Sequence, residues 1–369
     1  MQCNPYQALY LHIPFCKKRC SYCDFDTNAT PFDEEVFGSY IDELIMSIRR
    51  ASKNDLLGSI ETVYLGGGTP SYIGNKQLSR LLYALSMFMH LTPEVECTLE
   101  ANPDSLTEAM VKDLFALGVT RLSLGVQSFD DSVLQTLGRI HTAQKAREAI
   151  KLAQVRFENI SIDLMCGIPG QTEEMFRASL EEAVDLGIKH ISVYPLTIEE
   201  GTPFDTAVSK GELNYDEDSG ADMMRIASTY LEKQGMHRYE VASYAYPGFE
   251  SRHNSAYWSA KPYLGLGRGA VTMKQNDSLR IREKDGQELE RLDQKQMVAE
   301  DLMLAMRMTR GVSFNALKQA EKILPSARSV FESLEADGFI TKTDRAYIPT
   351  EKGWLFGNVL YGRILDLAP

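Results

Sequence analysis

Six short apolar segments alternate with helical patterns between Ala8 and Pro195, and this alternation is the feature that most limits the fold. The segments are ALYLHI, ETVYLGG, VECTLEANP, TRLSLGVQSF, NISIDLMCGIPG and HISVYPL. Between the first two lies EEVFGSYIDELIMSIRR, whose apolar side chains recur at helical spacing. A strand followed by a helix, six times over, predicts a parallel sheet that is either open or curled into a barrel.

Polar and glycine-containing motifs follow these predicted strands at their carboxyl ends. They are the cysteine loop after the first strand, GGGTPS after the second, EANP on the third, QSF on the fourth and DLMCGIPGQT on the fifth. Parallel strands present their carboxyl ends on one face, where ligands of α/β proteins bind. We therefore expect all five motifs to contribute to one site.

The chain length predicts one large domain followed by a smaller one, because single cores seldom grow beyond roughly 300 residues. With 369 residues, we expect a core barrel over residues 1–200 and a connection and accessory segment over 201–296. Within the accessory segment, a strand is predicted over Arg238–Ser243. Residues 297–369 end in GFITKTDRAYIPTEKG, a predicted hairpin, which favours a smaller, winged-helix-like α+β domain.

Charge argues against a nucleic-acid partner. The formal net charge is −12, and residues 297–369 contain as many acidic as basic side chains, nine of each. A nucleic-acid footprint needs clustered Lys and Arg, so the winged-helix-like end is expected to be structural or to bind protein.

The first residues, MQCNPYQALYLH, lack the basic and apolar regions of a signal peptide, and no apolar stretch is long enough for a bilayer. We expect a cytoplasmic protein, in which reducing conditions favour metal binding over disulfides for the cysteines.

Three of those cysteines, Cys16, Cys20 and Cys23, form a compact CxxxCxxC triplet far from the others. Structural zinc and ordinary iron–sulfur clusters take four protein ligands. A triplet therefore predicts a metal centre with one coordination position open to a small molecule. Zinc, completed by a distant cysteine, His12 or water, is the alternative that spacing alone leaves open.

The cysteine triplet with Tyr10-Leu-His-Ile-Pro-Phe-Cys16 before it resembles the radical S-adenosylmethionine (SAM) superfamily, in particular its coproporphyrinogen oxidase-like branch. The resemblance implies a partial, six-stranded (β/α) barrel. It also implies a [4Fe-4S] cluster held by three thiolates, whose fourth iron is chelated by the amino and carboxylate groups of SAM. One electron from the cluster then cleaves the sulfonium, while the protein binds, orients and shields the cofactors.

The resemblance also implies roles for side chains at the strand ends. Gly67, Gly68 and Thr69 would meet the amino end of the methionine moiety, and Glu100 and Arg139 would bind the methionine end of SAM. Asp163 would bind the ribose. The remaining members of the predicted pocket are Gln127 and Tyr10. Taken singly, each charged residue is more often a surface ion pair or a helix cap, but a carboxylate in ISIDLM is costly to bury without partners.

Two sequence features distinguish between the coproporphyrinogen oxidases and the heme chaperone group of this branch. Coproporphyrinogen oxidases extend the motif to CxxxCxxCxC, and the fourth cysteine is replaced here by Phe25. The sequence RHNSAYW also resembles the HNxxYW motif of the heme chaperone group of the branch, which implies that His253 ligates heme. From its chemistry alone, His253 is more often a structural histidine that donates a hydrogen bond.

We therefore expect a heme chaperone that binds heme, the cluster and SAM and delivers heme to an acceptor, which we expect to be a membrane-bound respiratory hemoprotein. An electron donor protein is implied as well. Whether the chain is also an enzyme is open. The alternatives are an oxygen-independent coproporphyrinogen III oxidase, a radical methyltransferase and a zinc protein. A homodimer stays open too.

Overall fold

The computed structural model describes residues 3–89 and 94–369. Its strands, in chain order, are β1 (Ala8–Ile13), β2 (Phe15–Cys16), β3 (Asn28–Ala29), β4 (Thr62–Gly67), β5 (Glu96–Ala101), β6 (Arg121–Gln127), β7 (Ile160–Cys166), β8 (His190–Pro195), β9 (His237–Arg238), β10 (Ser243–Ala245), β11 (Tyr263–Leu266), β12 (Val271–Asn276), β13 (Leu279–Lys284), β14 (Gln287–Asp293), β15 (Val312–Ser313), β16 (Ile340–Lys342) and β17 (Ala346–Pro349).

The helices alternate with the strands in the first half of the chain and predominate near its end. They are α1 (Glu34–Lys53), α2 (Asn75–Phe88), α3 (Glu108–Ala116), α4 (Asp131–Thr136), α5 (Ala143–Gln154), α6 (Glu173–Asp185), α7 (Pro203–Ser209), α8 (Glu217–Lys233), α9 (Arg252–Trp258), α10 (Gln294–Ala305), α11 (Phe314–Ala320), α12 (Ala327–Ala336), α13 (Glu351–Leu355) and α14 (Gly357–Leu365), with a 3-10 helix at Pro70–Ile73. Within the described ranges, none of these helices is both long and apolar enough to cross a membrane.

One twelve-stranded sheet dominates the part of the chain that the structure describes. Its order is β14-β13-β12-β11-β1-β4-β5-β6-β7-β8-β10-β9. The strands from β11 through β8 pair in parallel, whereas β12 to β14 and β9 to β10 add antiparallel edges on either side. The six predicted strands are thus adjacent, in chain order, at the centre of this sheet.

Apolar side chains explain why these segments fold locally as they do. In β1, Ala8 and Leu9 face opposite sides of the sheet and are both fully buried, as expected for a strand covered on both faces. Helix α1 begins at Asp33, whose carboxylate accepts the backbone N–H groups of Glu35 and Val36. The helix packs its apolar side against the sheet and α2 with Phe37, Tyr40, Ile41, Leu44, Ile48 and Ala51.

The central sheet is curled. A cavity of about 290 Å³ is lined by side chains from each of the strands β4 to β8, including Tyr64, Arg121, Asp163 and Ser192. Side chains of five consecutive strands can enclose one cavity only if the sheet curves around it. Because β8 pairs onward with β10, the curl stays open as a partial barrel. The predicted α/β fold with a partial six-stranded barrel is confirmed.

One local expectation differs from the structure, and one further element was not expected. The segment Arg238–Ser243, predicted as one strand, forms a hairpin in which Tyr244 of β10 pairs with Arg238 of β9. The turn directs Tyr239 toward His190 and Glu240 toward Trp258, and a straight strand could not do so. The motif RHNSAYW, for which no element was predicted, forms helix α9, with the Ser251 side chain capping its first turn.

The end of the chain has a core of its own. The second core runs from Ala299 to Ile364 and includes Phe331 and Tyr347. Helices α10 to α14 surround a small sheet of order β15-β17-β16, which contains the predicted hairpin. This helix-and-hairpin arrangement agrees with the winged-helix-like domain expected from the sequence. The strands of residues 201–296, by contrast, extend the barrel sheet.

Candidate functional site

The motifs after the parallel strands meet at one end of the partial barrel. The sheet register places His12 beside Gly66, Glu100 beside Ser123 and Asp163 beside Ser192. A second cavity, of about 130 Å³, lies there and is lined by residues from the cysteine loop and from the ends of strands β4 to β7. The structure thus brings together side chains that were predicted to lie close to one another because they follow the carboxyl ends of parallel strands.

The cysteine loop has a fixed shape before any ligand is considered. Its ends pair as the short parallel strands β2 and β3, in which Cys16 lies opposite Ala29. The loop is attached to the barrel by the backbone hydrogen bond from Thr69 to Phe15, of 2.8 Å. Its far side is attached by Ser21, which donates to Leu137 and accepts from Phe204.

The three thiols of the loop line the same cavity. The Thr69 hydroxyl donates to Cys16 Sγ at 3.7 Å, and Arg139 Nη1 donates to Cys20 Sγ at 3.4 Å. Burial raises the pKa values of the Cys16 and Cys23 thiols, so both are protonated at neutral pH until a metal displaces the proton. All six cysteines of the chain are free thiols.

This donor set fits a polynuclear cluster. In the described part of the chain, no three His, Cys, Asp or Glu side chains are grouped so as to hold a single metal ion. A cluster of four irons does not need such a group, because each thiolate binds a different iron atom. Donors from Thr69 and Arg139 beside the sulfurs suit cluster thiolates, whose electronic properties depend on such hydrogen bonds.

The glycines after β4 permit a close approach between β4 and the cysteine loop. Gly67 has a φ of +117°, and a Cβ there would lie 2.6 Å from the His12 ring. A Cβ on Gly68 would lie 2.7 Å from the Phe15 carbonyl oxygen and 3.0 Å from Cys16 Sγ. Any larger residue would push the cysteine loop away from the cavity.

Asn102 links the predicted site residues, and the sequence analysis missed it. Its Nδ2 donates to Thr69 Oγ1 at 2.9 Å, and its Oδ1 accepts from Arg139 Nη2 at 2.7 Å. The same guanidinium also donates to the carbonyl oxygen of Gly125. The motif LEANP could have indicated this role. Alternate residues of a strand face the same side, and Asn102 is two residues after Glu100, so the two side chains are expected on the same side.

Two partly buried carboxyl groups face the cavities. Glu100 accepts from the Tyr64 hydroxyl at 2.7 Å and from the Gly67 backbone at 3.1 Å. Burial nevertheless raises the pKa of Glu100 to about 6. Burial, followed by the charge of Glu100, raises the pKa of Asp163 to about 7. Two carboxyls that resist ionisation form a site suited to a cationic ligand, which would lower both pKa values.

Gln127 and Tyr10 differ in their position relative to the two cavities. Gln127 lines both cavities and has a φ of +67°, an unusual conformation for a residue other than glycine, at a register shift between β6 and β7. Tyr10 lines neither cavity. Its hydroxyl lies 2.9 Å from His12 Nδ1, and the other ring nitrogen of His12 lies 3.0 Å from the Asp26 carbonyl oxygen. In this structure Tyr10 therefore supports the loop through His12.

Phe25 stands where the two cavities meet. It lines both of them and is 64% exposed, so its ring projects from the cysteine loop without packing in a core. The position that would carry a fourth motif cysteine is thus occupied by an apolar ring at the entrance from the cysteine loop to the barrel interior.

The structure does not bring His253 to the cysteine loop. Helix α9 enters the opposite, amino-terminal end of the barrel, where His253 is fully buried. Its Nδ1 lies 2.9 Å from the hydroxyl of Thr62, the first residue of β4, and its Nε2 lies 3.2 Å from the Tyr257 hydroxyl. The imidazole also stacks on the Tyr64 ring. Both ring nitrogens are therefore engaged within the protein in this conformation.

Comparisons with known proteins show which families the chain resembles. The model of the radical SAM superfamily matches residues 10–183, and that of the HemN C-terminal domain matches residues 292–356. Heme chaperone HemW of Bacillus subtilis is 34% identical, over 97% of this chain and 99% of the relative. Heme chaperone HemW of Escherichia coli is 32% identical, over 96% and 97%.

A solved structure shows the same fold. The radical SAM enzyme coproporphyrinogen III oxidase (HemN) from Escherichia coli superposes with a TM-score of 0.79 and 21% identity. The match covers 98% of this chain and 90% of that one.

Proposed function

Because the chain belongs to the radical SAM superfamily, and within it to the family of the HemW proteins, we propose that it is a heme chaperone. It binds heme and transfers it to an acceptor hemoprotein. The observation that carries this proposal is Phe25, which stands between the two cavities in place of a fourth motif cysteine. The similarity to relatives named heme chaperones, over nearly the whole chain, supports it.

Membership of the superfamily implies a [4Fe-4S] cluster and SAM. In the proposal, Cys16, Cys20 and Cys23 hold three irons of the cluster. The cluster, when bound, supplies an electron to SAM. The chain holds the loop in place through Thr69 and Arg139, which donate hydrogen bonds to the sulfurs of Cys16 and Cys20.

The cavity beside the cysteines is proposed to hold SAM. Gly67, Gly68 and Thr69 provide close backbone approach for the methionine end, where Glu100 would pair with the ammonium group and Arg139 with the carboxylate. Asp163 is proposed to accept the ribose hydroxyls. Gln127 lines the cavity, and Tyr10 acts indirectly through His12.

His253 stays the predicted heme ligand on the strength of its motif. Burial lowers its pKa to about 3, so the ring is neutral, which is the form that binds iron. Ligation would require the ring to leave the Thr62 and Tyr257 hydroxyls, and hence a movement of α9.

The partners are proposed from the same function. They are heme, a membrane-bound respiratory hemoprotein as the acceptor, and an electron donor protein. A cytoplasmic location fits six unpaired cysteines. The oligomeric state, including a homodimer, is open to measurement.

A pair of assays tests the proposal. Anaerobically reconstituted protein is titrated with ferric heme, and a second sample receives coproporphyrinogen, SAM and a reductant. We expect a Soret band in the first sample and no decarboxylated porphyrin in the second. Porphyrin product would instead identify an oxidase. The Cys20→Ser variant should lose iron and keep the Soret band, and zinc in place of iron in the wild type would remove the cluster assignment.

A further inference from the structure

A third cavity lies at the junction of the barrel edge, the accessory segment and the C-terminal domain. It measures about 470 Å³ and lies between the end of β8, α8, α9 and α13. It adjoins the barrel interior, because both cavities are lined by Tyr194, Pro195, Leu196, Thr197 and Asn254. The two tryptophans of the chain, Trp258 and Trp354, both line it.

Two arginines line the same cavity without an acidic partner within ion-pair distance among the described residues. The Arg238 guanidinium lies 4.9 Å from the Trp354 ring centre and 5.1 Å from that of Tyr244. The Arg307 guanidinium lies 4.9 Å from the Trp258 ring centre and 4.6 Å from that of Tyr361. Each arginine is thus positioned by two aromatic rings.

The hydrogen-bonding capacity of these arginines is not fully used. The Nε atoms of Arg238 and Arg307 are both buried and have no hydrogen-bond partner. Two carboxyl groups, those of Glu217 and Glu240, also line the cavity. Glu240 accepts from the Trp258 indole at 3.0 Å, and burial raises its pKa. Two planar guanidinium groups beside an apolar, aromatic cavity suit a flat ligand that carries two carboxylates.

Helix α9 directs the side chains of its motif to two different sides, and only one of these sides lines the third cavity. His253 and Tyr257, four residues apart, lie on one helical side, where they contact each other and strand β4. Asn254 and Trp258 lie on the adjacent side and line the third cavity. The motif therefore contributes to this cavity through side chains other than the histidine.

We propose that this cavity binds the porphyrin, with the two propionates paired to Arg238 and Arg307 and the macrocycle against Trp258 and Trp354. This inference rests on the proposed heme chaperone function and specifies its site. It does not require His253 as an iron ligand, so a metal-free porphyrin should bind as well.

The test is a titration of the anaerobically reconstituted protein with ferric heme and, separately, with metal-free protoporphyrin IX. Binding is followed by the porphyrin absorbance and by quenching of fluorescence from the two tryptophans. The double variant Arg238→Gln/Arg307→Gln should bind both porphyrins at least tenfold more weakly, because two charge-assisted contacts are lost. His253→Ala should still bind protoporphyrin IX.

The matched control is Arg291→Gln/Arg328→Gln, which removes the same two charges from exposed ion pairs with Glu288 and Glu321. It should bind as the wild type does. A second variant, Ala221→Phe, fills the cavity from α8 and leaves both arginines in place. It should weaken porphyrin binding as well. If circular dichroism shows that the double arginine variant is misfolded, Ala221→Phe is the variant that tests whether the cavity binds the porphyrin.

Two outcomes would contradict the inference in distinguishable ways. If the wild type binds heme and the correctly folded cavity variants bind it equally well, the cavity assignment is wrong and the chaperone function stands. If the wild type binds no heme at all, the proposed function fails and the cavity assignment fails with it.

Discussion

Gly67 is the residue whose conformation most directly sets the spacing between β4 and the cysteine loop. Its φ of +117° is costly for any L side chain, and a Cβ would overlap the His12 ring. We expect Gly67→Ala to lower the free energy of unfolding by about 2–4 kcal/mol, from backbone strain and steric overlap. Urea unfolding, monitored by circular dichroism, measures the change.

Gly58 provides the matched control for this substitution. No atom lies within 4 Å of a Cβ built there, and its backbone is outside the left-handed region. Gly58→Ala should leave the free energy of unfolding within about 0.5 kcal/mol of the wild type. Equal effects of the two substitutions would show that the close approach at Gly67 does not constrain the loop.

The two partly buried carboxyl groups of the cavity, Glu100 and Asp163, should make stability and ligand binding depend on pH in opposite directions. The pKa values of Glu100 and Asp163 are raised to about 6 and about 7 in the folded protein. Their protonated forms therefore stabilise the ligand-free protein at low pH, and that contribution is lost as the pH rises toward 7. SAM is a cation at its sulfonium and ammonium groups, so its binding should strengthen over the same interval.

Asp163→Asn separates these effects. The variant should be more stable than the wild type at pH 7.5 by about 1 kcal/mol or more, because a buried charge is removed, and it should bind SAM more weakly. Unfolding at pH 5 and 7.5 and calorimetry with SAM measure both, with exposed Glu158→Gln as control. An unchanged pH dependence in Asp163→Asn would refute the assignment.

Helix α9 is held in the barrel by a buried ion pair. The Glu96 carboxylate accepts the backbone N–H groups of Arg252 and His253, and it lies 3.4 Å from Arg121. Arg121 in turn donates to the carbonyl oxygens of Phe249 and Glu250. Both charged residues come from the first positions of their strands, so the amino-terminal end of the barrel determines where the HNxxYW motif lies.

Removal of this carboxylate should release α9. We expect Glu96→Ala to lower the free energy of unfolding by about 3–5 kcal/mol, because it leaves a buried guanidinium and two N–H groups unpaired. Hydrogen exchange in residues 250–258 should rise more than exchange elsewhere.

The exposed pair of Lys261 and Glu61, at 3.0 Å, gives the comparison. Glu61→Ala should change the free energy of unfolding by about 0.5 kcal/mol or less. Uniform acceleration of exchange in Glu96→Ala would indicate global destabilisation and would contradict a specific role in holding α9.

The sequence predicted the six central strands because each is a short apolar run followed by a helical pattern. It did not predict that Arg238–Ser243 turns back on itself, since the turn is favoured by contacts of Tyr239 and Glu240 with distant residues. Nor does local sequence show that a seven-residue helix will form at RHNSAYW, because so short a helix depends on tertiary contacts.

The barrel sheet and the C-terminal domain are joined by Arg280 of β13, which is only 1% exposed. Its guanidinium pairs with Glu300 and Asp301 of α10, and its Nε donates to Gln275. We expect Arg280→Ala to lower the free energy of unfolding by about 3–5 kcal/mol, because two acidic side chains lose their buried partner. Urea unfolding measures the change.

Arg225→Ala is the control for Arg280→Ala. Arg225 also links the barrel side to the C-terminal domain, through Glu351, but its side chain is 45% exposed. Its loss should cost less than about 1 kcal/mol. If the two substitutions had equal effects, burial of Arg280 would not be what joins the two parts.

The amino-acid sequence by itself determined the fold class, the family and the set of side chains at the carboxyl ends of the strands, because period, spacing and short motifs are local properties. The three-dimensional arrangement was needed to show that Asn102 links Thr69 to Arg139, that His12 connects Tyr10 to Asp26, and that His253 lies at the opposite end of the barrel from the cysteines. Each of these arrangements includes a contact between residues that are separated in the chain. They depend on how the sheet curls and where α9 enters it, and no local pattern encodes either.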